Sequence, residues 1–198
     1  MSNIQTRKDL KRFIRADLFR YYGDHSSKVF QKTYRFVPGF RFSYWLRKCD
    51  YLAKQPVYTR LSFYYARLRY NRLKVRYGFD IEYSTEIGAG LYLGHWGGVV
   101  VHPQAVIGKN CNISHQVTVG VDSGKGAQAV PQLGDRVYLA PGCKVFGKVV
   151  LGDHCAVGAN SVVNDDVPPG VTVAGLPARV VSDHGSAAYV KNIPETAE

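Results

Sequence analysis

The chain has 198 residues, 45% of them hydrophobic and 21% charged, which is enough apolar material for a core and excludes wholesale disorder. No run of about eighteen apolar residues occurs, which argues against a membrane-spanning helix, and the basic opening MSNIQTRKDLKRFIRADLF lacks the apolar stretch of a cleaved secretory signal. The net charge of +11 is unevenly spread: residues 1–80 hold 19 Lys and Arg against 5 Asp and Glu, whereas residues 81–198 hold 7 against 10.

Other residue types divide at the same place. Nineteen of 25 aromatic residues precede residue 81, and 17 of 20 glycines follow residue 80. Two compositions meet near Gly78–Asp80. The chain is therefore read as a basic, aromatic-rich helical domain at 1–79, a glycine-rich domain at 80–181 and a tail at 182–198.

In the first domain, residues 5–22 carry Leu10, Phe13, Ile14, Leu18 and Tyr21 at spacings of three and four, which predicts a helix. FVPGFRFSYWLRKCDYLAK reads as a Pro-Gly turn followed by an amphipathic helix. Residues 58–77 predict a further helix. Leu61, Tyr64, Tyr65, Leu68 and Leu73 form its apolar face, with Arg60, Arg67, Arg69, Arg72, Lys74 and Arg76 around it. The leading explanation is that the aromatics pack the helices onto the next domain while arginine stems lie alongside. Contact of residues 1–79 with an anionic membrane face is the second. No RNP-like, zinc or helix-turn-helix signature supports nucleic acid, and none is expected as a partner.

The second domain repeats every six residues. Ile87 and Leu93 begin the series; Ile107, Ile113 and Val119 follow a two-residue slip; Leu133, Leu139, Val145, Leu151, Val157 and Val163 follow an insertion. All eleven are aliphatic. The next residue is small in nine of the eleven cases, as in Gly88, Gly108, Gly134, Ala140 and Gly152. An α-helix wants a period of 3.6 and tolerates little glycine. One inward aliphatic residue and one tight corner per six residues describe a parallel β-solenoid, three faces to a coil and 18 residues to a turn. Residues 81–181 would supply five to six coils. The thiols Cys111, Cys143 and Cys155 occupy spacer positions and read as buried. With Cys49 they form no CxxC pair, which argues against a structural zinc site and fits reduced cytosolic thiols.

Chemistry should gather where the period breaks. The breaks are residues 94–101, the polar loop GVDSGKGAQAVPQ at 120–132, and the closing run at 164–181.

The repeats, with IRADLFRYYGD, VPGF, FDIEYSTEIG and above all VGANSVVNDDVPPGVTVAGLPARVV, resemble the hexapeptide-repeat acyltransferases, most of all the serine O-acetyltransferases and the related O-acetyltransferases of bacterial surface-polysaccharide pathways. The resemblance runs from about Ile14 to Val181. It implies a mainly β fold: a left-handed parallel β-helix of hexapeptide repeats with an N-terminal α-helical domain. It implies acetyl-CoA as co-substrate, no metal and a homotrimer with clefts between subunits.

By the same resemblance, His95 is the general base that takes the acceptor's hydroxyl proton, and Asp80 orients it. Imidazole suits that task at neutral pH, and a carboxylate on its second nitrogen fixes the tautomer. Ala140, Pro141, Ala159, Asn164, Asp165 and Arg179 match acetyl-CoA contacts. Trp96 and His115 are candidates for the acceptor side, His115 as a lining of the cleft between subunits. His102 and His154 read as bystanders. A rival reading, metal-dependent hydration, would need three convergent histidines, with His95, His102 and His115 as candidates by count. A second rival is a non-catalytic assembly protein.

The departures bear on the acceptor. Serine acetyltransferases carry an aspartate before the base histidine, where this chain has Gly94. They hold the serine carboxylate with an Arg-His pair, where this chain has Ala129–Val130. A helical-domain aspartate survives as Asp24. Losing charge-assisted bonds of about 1.5–3 kcal/mol each favours an uncharged acceptor. The expectation is a cytoplasmic enzyme acetylating a sugar hydroxyl of a surface polysaccharide or its precursor, in reach of the inner membrane face. Serine O-acetylation is the alternative.

Overall fold

In the computed structural model, residues 4–122, 124 and 129–194 are described. Four helices come first. Helix α1 spans Arg7–Tyr22 and starts with a capping box: Thr6 Oγ1 accepts from the Asp9 amide while Asp9 accepts from Thr6 N. Helix α2, Ser27–Phe36, is capped by Ser26 and has no counterpart in the sequence reading. Helix α3 spans Pro38–Ala53. Pro38 and Gly39 are thus its first turn and not a turn before it, because proline at the first helical position forfeits only an amide that would have no partner. Helix α4 spans Arg60–Tyr77 and ends at Gly78, whose φ of 64° is left-handed. A Cβ at Gly78 would also lie 3.0 Å from Gly98 N, so the exit of α4 presses against the first break in the period.

From Phe79 onward the chain winds as a three-faced coil. The first face stacks Phe79–Ile81, Val99–Val101, Thr118–Gly120, Lys144–Phe146 and Val162–Val163, all parallel. The second stacks Glu86–Ile87, Val106–Ile107, Gln132–Leu133 and Val150–Leu151. The third stacks Tyr92–Leu93, Asn112–Ile113, Tyr138–Leu139, Ala156–Val157 and Thr172–Gly175, then turns back antiparallel in Ala178–Ser182. All eleven aliphatic repeat positions are at most 3% exposed. The coil makes between four and five turns among the described residues, fewer than five to six, because the loop after Gly120 and the closing hairpin use residues without adding a turn. The middle of that loop, residues 123 and 125–128, lies outside the described residues.

The helices do not form a separate body. One apolar core runs from Phe42, Trp45 and Leu46 through Tyr70 and Phe79 into the coil. A buried polar lock accompanies it. Arg47 donates to Asp17 (3.0 Å) and to the carbonyls of Ile87 and Gly88 (2.7 Å each). Asp17 accepts in turn from the amides of Gly90 and Leu91 at 2.9 and 2.8 Å. Arg20 donates to the carbonyls of Gly90 and Asn110. The run IRADLFRYYGD is therefore the key that fixes α1 to the first coil.

One face of the helical region differs from expectation. In α4, Ala66, Tyr70, Leu73 and Tyr77 point inward. Of the expected apolar face only Leu73 is buried; Leu61, Tyr64, Tyr65 and Leu68 are exposed. The Tyr70 hydroxyl donates to the Ile81 carbonyl, and α4 must exit at Gly78 into Phe79. These ties fix the rotation of a helix that is apolar on two sides. No helix among the described residues is long and apolar enough to cross a membrane.

Candidate active site

The corner between the third and first faces holds the expected base. His95 and Trp96 follow Leu93 at the first coil; Trp96 is 57% exposed. His115 occupies the same corner one coil on. The imidazoles of His95 and His115 are 5.7 Å apart at nearly right angles. With Trp96 they line an open cleft of about 310 Å³. Among the described residues, His115 Nδ1 is buried without a hydrogen-bond partner.

This corner continues as an edge along the coil. Gln116 N donates to Gly97 O (2.8 Å), Gly142 N to His115 O (3.1 Å) and Asn160 N to Pro141 O (2.9 Å). Successive rungs therefore stack His95, His115, Ala140–Pro141 and Ala159 on one edge, about 4.8 Å apart. The structure thus brings together residues the sequence reading had drawn from four separate repeats. Ala159 is exposed and Ala140 buried. Asn164 and Asp165 are exposed further along, where Asp165 pairs with Arg179 at 3.1 Å.

Asp80 lies elsewhere in its contacts. Its carboxylate is 63% exposed and bound to Lys74 Nζ at 2.8 Å; Lys74 also pairs with Glu82. No hydrogen bond joins Asp80 to His95 in the structure. Lys74 is the residue the sequence reading missed: it sits on α4, six positions before Asp80, and only the Gly78 turn brings the two together. Asp24 accepts from Ser26 N and Oγ, both at 2.8 Å, just ahead of α2, and those bonds lower its carboxyl pKa. It is not among the residues lining the cleft. His102 Nδ1 accepts from the Gln104 amide at 3.3 Å, and His154 occupies a left-handed corner position. No group of three metal-ligating side chains is found among the described residues.

The arrangement offers an exposed imidazole beside a second one, at the end of an edge whose later rungs carry the small corner residues Ala140, Pro141 and Ala159. Among the described residues, the cleft has no Lys or Arg in its lining.

No family model matches the chain. A serine acetyltransferase of Synechococcus elongatus is 33% identical over 154 residues, covering 75% of this chain and 59% of that protein. The chain spans about half the length of the curated relatives it matches. Among solved structures, serine acetyltransferase from Brucella abortus in complex with coenzyme A superposes with a TM-score of 0.75 at 28% identity, covering 90% of this chain and 70% of that one. The soybean serine acetyltransferase apoenzyme superposes with a TM-score of 0.72 at 32% identity, covering 88% and 69%. With that coverage and identity added to the six-residue coil and its helical cap, the chain belongs to the hexapeptide-repeat acyltransferases related to serine acetyltransferase.

Proposed function

We propose that the chain is an acetyl-CoA-dependent O-acetyltransferase with serine as acceptor, transferring the acetyl group directly at the His95 corner. One observation carries this reading: an exposed imidazole heads an edge of small corner residues, in a chain whose solved relative holds coenzyme A. The acceptor expected from sequence alone, a sugar hydroxyl, gives way because the relatives matched by sequence and by fold are serine acetyltransferases.

His95 takes the proton from the acceptor hydroxyl, whose oxygen attacks the thioester carbonyl carbon. The new C–O bond forms, the C–S bond breaks, and the leaving thiolate takes the proton from the imidazolium. Backbone amides stabilise the oxyanion between these steps. Asp80 orients the imidazole, a role that requires it to turn from Lys74. Ala140, Pro141, Ala159, Asn164 and Asp165 hold acetyl-CoA along the edge, and Arg179 exchanges Asp165 for a CoA phosphate. Trp96, His115 and Asp24 contact the acceptor. A homotrimer would close each edge against a neighbour.

A second reading keeps a neutral acceptor hydroxyl, such as that of a sugar. It is favoured by Gly94 and Ala129–Val130, which replace charged residues, and by the absence of Lys or Arg among the described residues lining the cleft. A thiol-release assay with acetyl-CoA separates the two. Serine-dependent release of free coenzyme A supports the first; release with a neutral oligosaccharide and none with serine supports the second. No release with either acceptor removes both.

A further inference from the structure

Helix α4 is apolar on two opposite sides, and the fold uses one. On the outer side Leu61, Leu68 and Val75 recur every seven residues and are 84%, 50% and 85% exposed. Tyr64 and Tyr65, also more than half exposed, lie beside them. At 3.6 residues per turn, Arg60 and Arg67 border this stripe on one side, Arg76 borders it on the other, and Arg72 lies within it. All four arginines are exposed. The helix carries no Asp or Glu, and no ion pair engages these four among the described residues.

We propose that the outer face of α4 docks on an anionic lipid bilayer. The aliphatic side chains enter the acyl boundary, the tyrosines sit at headgroup level, and the arginines meet lipid phosphates. Charge selects this occupant. A second copy of the same face would set arginine against arginine with no carboxylate to offset them. A nucleic acid would match the arginines, yet Leu61, Leu68 and Val75 have no π-face for base stacking and would remain in water. An anionic bilayer matches both sets at once, and peripheral attachment needs both. This surface lies apart from the His95 cleft, so the inference stands without the proposed reaction.

The test is co-sedimentation of the full chain with vesicles of phosphatidylcholine alone or mixed with phosphatidylglycerol. The chain should partition onto the mixed vesicles and release in high salt. Leu61→Ser, Leu68→Ser and Val75→Ser together should weaken binding about tenfold or more, as should Arg67→Gln with Arg72→Gln. Because all five positions are exposed, the variants should keep the melting temperature and gel-filtration mass of the parent. Four outcomes would overturn the proposal. The parent stays in solution with both vesicles; the serine variant binds vesicles like the parent; the serine variant changes oligomeric state, making the face a contact between copies; or an oligonucleotide displaces the vesicles and binds the serine variant equally well.

Discussion

The imidazoles of His95 and His115 meet edge to face, centroids 5.7 Å apart and planes at 87°. They come from successive coils, yet share one corner because Gln116 N is tied to Gly97 O. The Nδ1 of His115 is buried and has no partner among the described residues, which is costly unless a ligand or the neighbouring coil completes it. His115 should therefore contribute to substrate binding beside the base. His115→Phe is expected to lower kcat/KM about threefold to tenfold, the value of one neutral hydrogen bond, with little change in melting temperature. An unchanged kcat/KM would make His115 a spacer.

The roles proposed for His95 and Asp80 separate from plain structure through Lys74. His95→Ala should lower kcat by about 100-fold to 10,000-fold, the usual value of general-base catalysis. Asp80→Asn should lower kcat by about 100-fold or more if the carboxylate orients the imidazole. Lys74→Met removes the ion pair of Asp80 and should leave kcat close to the parent. Steady-state thiol release decides among these. Equal, small losses in Asp80→Asn and Lys74→Met would mean that Asp80 serves only the surface pair seen with Lys74.

The solenoid was legible because one constraint repeats eleven times: an aliphatic residue must point inward before each corner. The place of His95 at a corner of the coil was legible because the period fails beside it, whereas its role as base comes from the family likeness and is a proposal. Helix α2 was not, since its capping by Ser26 is a short polar signal next to a mixed sequence. The rotation of α4 was not, since two apolar sides give the pattern no preferred direction until Tyr70 finds the Ile81 carbonyl. Nor was the partner of Asp80, because the Lys74 contact arises from a turn at Gly78 that composition marks only as a boundary.

The lock between Asp17 and Arg47 should dominate stability at the junction. Both side chains are at most 2% exposed, and each also satisfies backbone groups of the first coil. Asp17→Ala leaves Arg47 charged and buried and strands the Gly90 and Leu91 amides. Removing one partner of such a pair costs about 3–5 kcal/mol. Urea unfolding should show that loss for Asp17→Ala and for Arg47→Met, with the double variant losing less than the two combined. A loss under about 1 kcal/mol would show that the pair behaves like a surface contact.

The buried thiols make stability fall at alkaline pH. Burial away from water raises Cys49, Cys111, Cys143 and Cys155 from an ordinary 9.0 to about 12. Below pH 9 both states keep the proton and the thiols cost nothing. Between about 9 and 12 the unfolded chain ionises while the folded one does not, so stability drops by about 1.4 kcal/mol per thiol per pH unit. Alanine at Cys111, Cys143 and Cys155 removes three of these contributions, whatever it costs in packing. Urea unfolding at about pH 8 and about pH 10.5 should therefore show the parent losing about 2 kcal/mol more per replaced thiol than the variant. Tyrosine ionisation is common to both chains and cancels in the comparison. Equal losses would mean that the thiols reach water in the folded coil, against their placement between its rungs.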